Sequence, residues 1–293
     1  MSLMLQMAPR IAAALAIGLA LLTGANPSQA QTSRAPSGKH RMVKAHGHRP
    51  KPSMLGNAKP FRINFNSGGR SVRVEVFRGS AQASGAAPGG RVLSRQPAVI
   101  MLHGAGGVGG GLMIYPQAEA LAANGITAFV VDYYDGLSDK IRSKASPALF
   151  TQRDQIIEDA VNFVASQPYV EPSDIGVYGI SLGGFHGLSI SAHDERVTAL
   201  VDVFGALPAT MNSSLSRMPP TLILHGARDP IVPVARSKWL DQQLDQLGVQ
   251  HELVVYKTQG HCFYGASLVD SIERTTKFFV ERFSRNEDDR DPA

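Results

Sequence analysis

Three polar residues in this chain have the types that acyl transfer requires: Ser181, Asp229 and His261. A serine hydroxyl is a weak nucleophile until a base takes its proton. A neutral imidazole does that near pH 7, and a carboxylate behind it fixes the tautomer and stabilises the imidazolium that forms. Ser181 stands in Gly179-Ile-Ser-Leu-Gly183, after a short apolar run and before an apolar helical stretch. That pattern predicts a sharp strand-to-helix turn that lifts the hydroxyl above a sheet, with glycine where a Cβ would clash. The chain has 29 glycines, so five such residues also arise by chance and their context decides. Asp229 ends His225-Gly-Ala-Arg-Asp229, just past the apolar run 221–224. His261 follows the run 252–256 through Lys257-Thr-Gln-Gly260. Taken singly, Asp229 reads as the start of an Asp-Pro turn, and His261 as a structural loop histidine. Taken together, in the order Ser, Asp, His and each just past a strand, they read as nucleophile, orienting acid and base. Asp202, inside the apolar run 197–204, is the rival acid.

The tetrahedral oxyanion of such a reaction needs two backbone N–H donors. Leu182 N–H, just after the serine, is one. The other is assigned to Ala105, in the loop His103-Gly-Ala-Gly-Gly107 that follows the apolar run 98–102. The walls of the substrate pocket are expected from Tyr133, Tyr134 and the loop 135–148 on one side, and Phe263 and Tyr264 on the other.

These residues require an alternating scaffold. Residues 61–65 and 72–77 alternate at period two around Ser67-Gly-Gly69 and predict a hairpin. Residues 79–92 read as a loop. Continuous apolar runs at 98–102, 126–131, 175–178, 197–204, 221–224 and 252–256 read as buried strands. Helices are expected at 118–123, 154–165, 182–191, 234–247 and 268–283. This is an α/β chain with a mostly parallel central sheet covered by helices on both faces. Only residues 205–220 join the strand of Asp202 to the strand before Asp229, too few for a large cap domain.

Both ends of the chain differ from this core. Arg10, the apolar run 11–22 and Ser28-Gln-Ala30 read as a signal peptide over residues 1–30, which predicts a protein of the periplasm or the outside of the cell. Residues 31–58 read as a disordered basic linker, 59–284 as the catalytic domain and 285–293 as a charged tail. Of the 29 Lys/Arg residues, one lies in 1–30 and seven in 31–60, with no acid in either stretch. The remainder carries 21 basic against 24 acidic residues, which excludes a basic nucleic-acid-binding domain. The linker suits a weak contact with an anionic surface. His46-Gly-His48 offers two imidazoles and no further ligand, so no metal site is expected. The glycine run 106–111 lacks the acidic residue of a dinucleotide site, and no Gly-Lys-Ser/Thr phosphate loop occurs, so no cofactor is expected. The single cysteine, Cys262, rules out an intrachain disulfide. Nothing in the sequence sets an oligomeric state.

With Val131-Asp-Tyr-Tyr-Asp135, Gly179-Ile-Ser-Leu-Gly-Gly184, His225-Gly-Ala-Arg-Asp-Pro-Ile-Val-Pro233 and Gly260-His-Cys-Phe263 in view, residues 60–284 resemble an α/β-hydrolase, and most of all the dienelactone hydrolase group. The resemblance implies a hydrolase acting on carboxylic esters through an acyl-enzyme. Two departures separate this chain from the enzymes that give the group its name. They use a cysteine nucleophile, where this chain has Ser181. They place an arginine just after the catalytic histidine, where this chain has Cys262-Phe-Tyr-Gly265. A small-molecule carboxylic ester is therefore the expected substrate. A peptidase of the prolyl-oligopeptidase kind, or a catalytically silent hydrolase-fold binding protein, are the alternatives.

Overall fold

The computed structural model describes residues 59–80, 95–110, 113–135, 137, 146–207 and 215–290. The expected signal peptide and basic linker, and most of the loop 135–148, lie outside the described residues. The chain enters through a hairpin. β1 (Phe61–Ser67) and β2 (Arg70–Phe77) pair antiparallel. The two residues between them, Gly68 and Gly69, have φ of +54° and +78°, which a two-residue hairpin turn requires and which glycine adopts without steric cost.

Six strands follow, the first five largely buried and the last only partly: β3 (Gln96–Leu102), β4 (Thr127–Val131), β5 (Val170–Ile180), β6 (Val197–Val203), β7 (Thr221–Gly226) and β8 (His251–Tyr256). With the hairpin they form one eight-stranded sheet of order β1-β2-β4-β3-β5-β6-β7-β8, in which β2 alone runs against the direction of the other seven strands. The helices are α1 (Ile114–Ala123), α2 (Pro147–Ala165), α3 (Leu182–Ser191), α4 (Ala235–Gln246) and α5 (Ala266–Arg290). Alternation along the strands distributes the core. Val177, Leu200 and Ile223 face α2, α3 and α4, where Ile157, Val161, Leu188, Leu240 and Leu244 are buried. Tyr178, Val201 and Leu222 face the other way, with Ile114, Leu121, Phe279 and Phe283 of α1 and α5. Each such side chain contributes roughly 1.5–3 kcal/mol of burial. The fold is the expected mostly parallel α/β sheet.

Three boundaries differ from expectation by five residues or more. Helix α2 begins at Pro147, before the expected 154, because the Ser146 hydroxyl caps Leu149 N–H and Pro147 fits the first turn. Strand β5 begins at Val170, five residues early. Helix α5 runs to Arg290, so the expected tail at 285–293 begins inside a helix. There the Asn286 amide donates to Asp174 Oδ1 at 2.8 Å. Helix α3 is buried along nearly its whole length, polar residues included. Asp154 of α2 satisfies two of these, accepting from Ser189 Oγ at 2.7 Å and meeting His186 Nδ1 at 2.6 Å. That pair of contacts fixes α2 across the helix that starts at Ser181.

Candidate active site

Ser181 lies between β5 and α3 at φ +53°, ψ −115°, a backbone conformation that costs a non-glycine residue about 1–3 kcal/mol. Its surroundings hold it there. Ser181 N–H donates to Val203 O at 2.9 Å and its carbonyl accepts Phe185 N–H at 3.1 Å. A Cβ on Gly179 would strike the Gly183 carbonyl, and one on Gly183 would strike the carbonyl of Leu102. The expected roles of both glycines therefore follow from close approach.

The Ser181 hydroxyl faces His261 Nε2 at 2.9 Å, and His261 Nδ1 faces Asp229 Oδ2 at 2.8 Å. A carboxylate only accepts, so Nδ1 carries the proton and Nε2 keeps the lone pair that receives the serine proton. Asp229 is tied down on both oxygens. Oδ1 accepts the N–H groups of Ile231 at 2.8 Å and Val232 at 3.0 Å. Oδ2 also lies 3.3 Å from His225 Nε2. That nitrogen donates to Val232 O at 2.8 Å, while Ser237 Oγ meets His225 Nδ1 at 2.6 Å. Burial pushes the Asp229 carboxyl up, but the hydrogen bonds from His225 and His261 outweigh it and hold it well below the usual carboxylate range. His225 was not among the candidates from sequence, although its place four residues before Asp229, at the end of a buried strand, was the available signal. The arrangement can deprotonate Ser181 and stabilise the resulting imidazolium.

Asp202, the rival acid, does not join this chain of contacts. It is fully buried, neither oxygen has a hydrogen-bond partner of ordinary geometry among the described residues, and it packs against Gly184 and Gly205 beneath the turn. Burial raises its pKa to about 7. Phe204, two residues on, takes φ +41° and lays its ring 4.6 Å from that of His261.

The loop after β3 adjoins the serine. A Cβ built on Gly104 would stand 3.5 Å from Ser181 Cβ. Ala105 N–H has no acceptor among the described residues. Leu182 is the first residue of α3, and the first N–H groups of a helix have no partner within it. Leu182 thus follows Ser181 directly, and Gly104, the residue before Ala105, stands close to Ser181. The expected pocket walls behave otherwise. Tyr133 is 0% exposed and donates its hydroxyl to His103 O at 2.6 Å. Tyr134 is 5% exposed and donates to Ala105 O at 3.3 Å. Their rings are spent on packing and their hydroxyls on the loop backbone, so they anchor that loop and are not pocket walls. Phe263 is buried against Phe204 and Tyr256. Of the four residues, Tyr264 alone is broadly exposed, at 61%. Cys262 is exposed, and its thiol pKa is raised, by desolvation first, which disfavours thiolate. Among the described residues no group of three His, Cys, Asp or Glu could hold a metal ion.

The profile of the dienelactone hydrolase family matches residues 83–278. Curated relatives include rat acyl-coenzyme A thioesterase 1, 33% identical over 131 residues, and mouse mitochondrial acyl-coenzyme A thioesterase 2, 35% identical over 119. Those matches cover 44% and 40% of this chain, but only 29% and 24% of the relatives' own lengths. Among solved structures, a putative dienelactone hydrolase from Klebsiella pneumoniae superposes with a TM-score of 0.61 at 20% identity, covering 76% of this chain and 98% of its own. A dienelactone hydrolase-like promiscuous phosphotriesterase from metagenomic libraries gives 0.62 at 20% identity over the same shares. At such identity the two structures share the fold with this chain.

Proposed function

The chain belongs to the dienelactone hydrolase family, and on that premise we propose that it is a serine hydrolase of carboxylic esters. The observation that carries this reading is the continuous contact from Ser181 Oγ through His261 to Asp229, at 2.9 and 2.8 Å. In acylation, Ser181 Oγ bonds to the substrate carbonyl carbon as its proton passes to His261 Nε2. The carbonyl electron pair moves to oxygen, where Leu182 and Ala105 N–H groups receive it. Collapse of the tetrahedral adduct breaks the bond to the alkoxide, which takes the proton from His261 and leaves as an alcohol. Water then attacks the acyl-enzyme, with His261 as base again, and releases the acid and free Ser181. Asp229 stays ionised throughout and holds Nδ1.

The raised thiol of Cys262 and the facing of His261 Nε2 toward Ser181 favour serine over the neighbouring cysteine. An acyl thioester is a substrate for the same steps, and the likeness to acyl-coenzyme A thioesterases supports including it. The pattern of Arg10, 11–22 and Ser28-Gln-Ala30 supports action outside the cytoplasm. The test is a panel of p-nitrophenyl esters of increasing acyl length, matched acyl thioesters and peptide anilides. Turnover of the esters that is lost in Ser181→Ala is expected. Turnover of the anilides alone would replace this reading by a peptidase.

A further inference from the structure

Three consecutive carbonyls of the loop after β3 are each held by a side chain. His103 O accepts the Tyr133 hydroxyl at 2.6 Å, Gly104 O faces His103 Nδ1 at 2.8 Å, and Ala105 O accepts the Tyr134 hydroxyl at 3.3 Å. Gly104 O also accepts Gly107 N–H at 3.0 Å. The middle contact has the most direct chemical consequence. Its imidazole nitrogen must carry a proton, because a carbonyl oxygen only accepts. The 104–105 peptide is trans, so its C=O and N–H point to opposite sides. With Gly104 O turned to the His103 ring, Ala105 N–H is turned away from it, and Gly104 itself stands close to Ser181 Cβ.

The ring itself is fixed from three sides. It is fully buried, stacks on Tyr133 with centroids 4.0 Å apart and planes at 9°, and meets Tyr134 edge-on at 4.7 Å. Its Nε2 lies 3.5 Å from Asp132 Oδ1. Asp132 in turn accepts a hydrogen bond from the Arg73 guanidinium of β2, which reaches Asp135 as well. Burial raises the Asp132 carboxyl, but His103 and Arg73 outweigh that and keep it below its ordinary value. A chain of contacts therefore runs from a half-exposed arginine on the antiparallel strand to the backbone beside the nucleophile.

We propose that His103 is a positioning residue that sets the 104–105 peptide so that Ala105 N–H faces the developing oxyanion, with Asp132 and Arg73 holding its ring in place. This rests on the ester-hydrolase reading of Ser181. A donor that acts on the oxyanion is realised in the transition state, so its misalignment lowers kcat and leaves KM nearly unchanged.

Two substitutions separate this role from packing. His103→Asn retains an N–H donor near the place of Nδ1, within reach of Gly104 O. His103→Gln carries its N–H donor out toward the place of Nε2, and therefore toward Asp132. Crystal structures of both variants and of the wild type read the peptide orientation, and ester kinetics read the consequence. The expected result is that the peptide keeps its orientation in His103→Asn and turns in His103→Gln. In kinetics, kcat should fall by up to about fivefold in the first and about 10- to 100-fold in the second, below the 10²–10³ of a lost donor, with KM unchanged in both. Arg73→Gln should lower kcat by about threefold in the same manner. An unturned peptide in His103→Gln, or equal kcat in the two His103 variants, overturns the proposal. If the wild type hydrolyses no ester, the ester reading of Ser181 falls, while the peptide orientation still decides whether His103 sets the loop.

Discussion

The acid side and the oxyanion side of the site are braced by opposite strategies. Asp229 is held by His225, Ile231 and Val232, with His225 resting on Ser237, all within twelve residues of one another. The loop 103–105 is held by Tyr133 and Tyr134, some thirty residues away in the chain, and by Asp132 beside them with Arg73 of β2, two strands away from β3. One brace is a local turn, and the other exists only once β2, β4 and β3 lie side by side. A local turn forms its hydrogen bonds at little loop-closure cost, whereas the distant brace depends on correct sheet assembly. Substitutions on the acid side should therefore act directly on chemistry, while those on the oxyanion side should act through the geometry of the sheet.

The largest effect should come from the acid side. Asp229→Asn leaves the shape but removes the charge that selects the His261 tautomer, and kcat should fall by about 10⁴. Steady-state ester kinetics measure it, and a loss below tenfold would show that Asp229 is not the orienting acid. His225→Leu removes the second side-chain donor to Asp229, and kcat should drop by about tenfold to a hundredfold, with His225→Gln recovering part of the loss because its amide can donate to the same oxygen. Equal losses in the two variants would reduce His225 to a packing residue. On the oxyanion side, the smaller loss expected for Arg73→Gln makes the contrast quantitative. An effect of Arg73→Gln as large as that of Asp229→Asn would erase the distinction between the two braces.

Asp202 lies between the two sides and should affect stability more than turnover. Its folded pKa, about 7, stands above the ordinary carboxylate value near 3.9. The folded chain therefore binds that proton more tightly than the unfolded chain. Stability from this group falls as pH rises from about 4 to about 7, and the loss is complete above that. Asp202→Asn removes the titration. Urea unfolding at pH 4 and pH 8 should show the variant gaining on the wild type at the higher pH, by at most about 4 kcal/mol, while kcat changes by less than about threefold. An unchanged pH slope would mean that another group carries the proton.

The contrast between the two braces also explains which parts the sequence revealed. The turn at Ser181, the bounds of α3 and the order of Ser181, Asp229 and His261 depend on neighbours in sequence, and they are found where the sequence puts them. The direction of the Tyr133 and Tyr134 hydroxyls depends on a strand thirty residues away. Two adjacent tyrosines after a strand gave no sign that they serve loop carbonyls. The early start of α2 was hidden because its first turn, Pro147-Ala-Leu-Phe150, lies ahead of the apolar periodicity at Ile156, Ile157 and Val161, and only the Ser-Pro cap marks it. The length of α5 was hidden because its last two turns are charged, and charge reads equally as tail and as solvated helix.

The central claim is that Ser181, and no other residue, attacks the acyl carbon. Incubation with a p-nitrophenyl phosphonate ester, followed by peptide mass spectrometry of the wild type, Ser181→Ala and Cys262→Ser, tests it most directly. One adduct per chain is predicted, on Ser181, present in the Cys262→Ser variant and absent from Ser181→Ala. An adduct on Cys262, or labelling that survives in Ser181→Ala, would contradict the account.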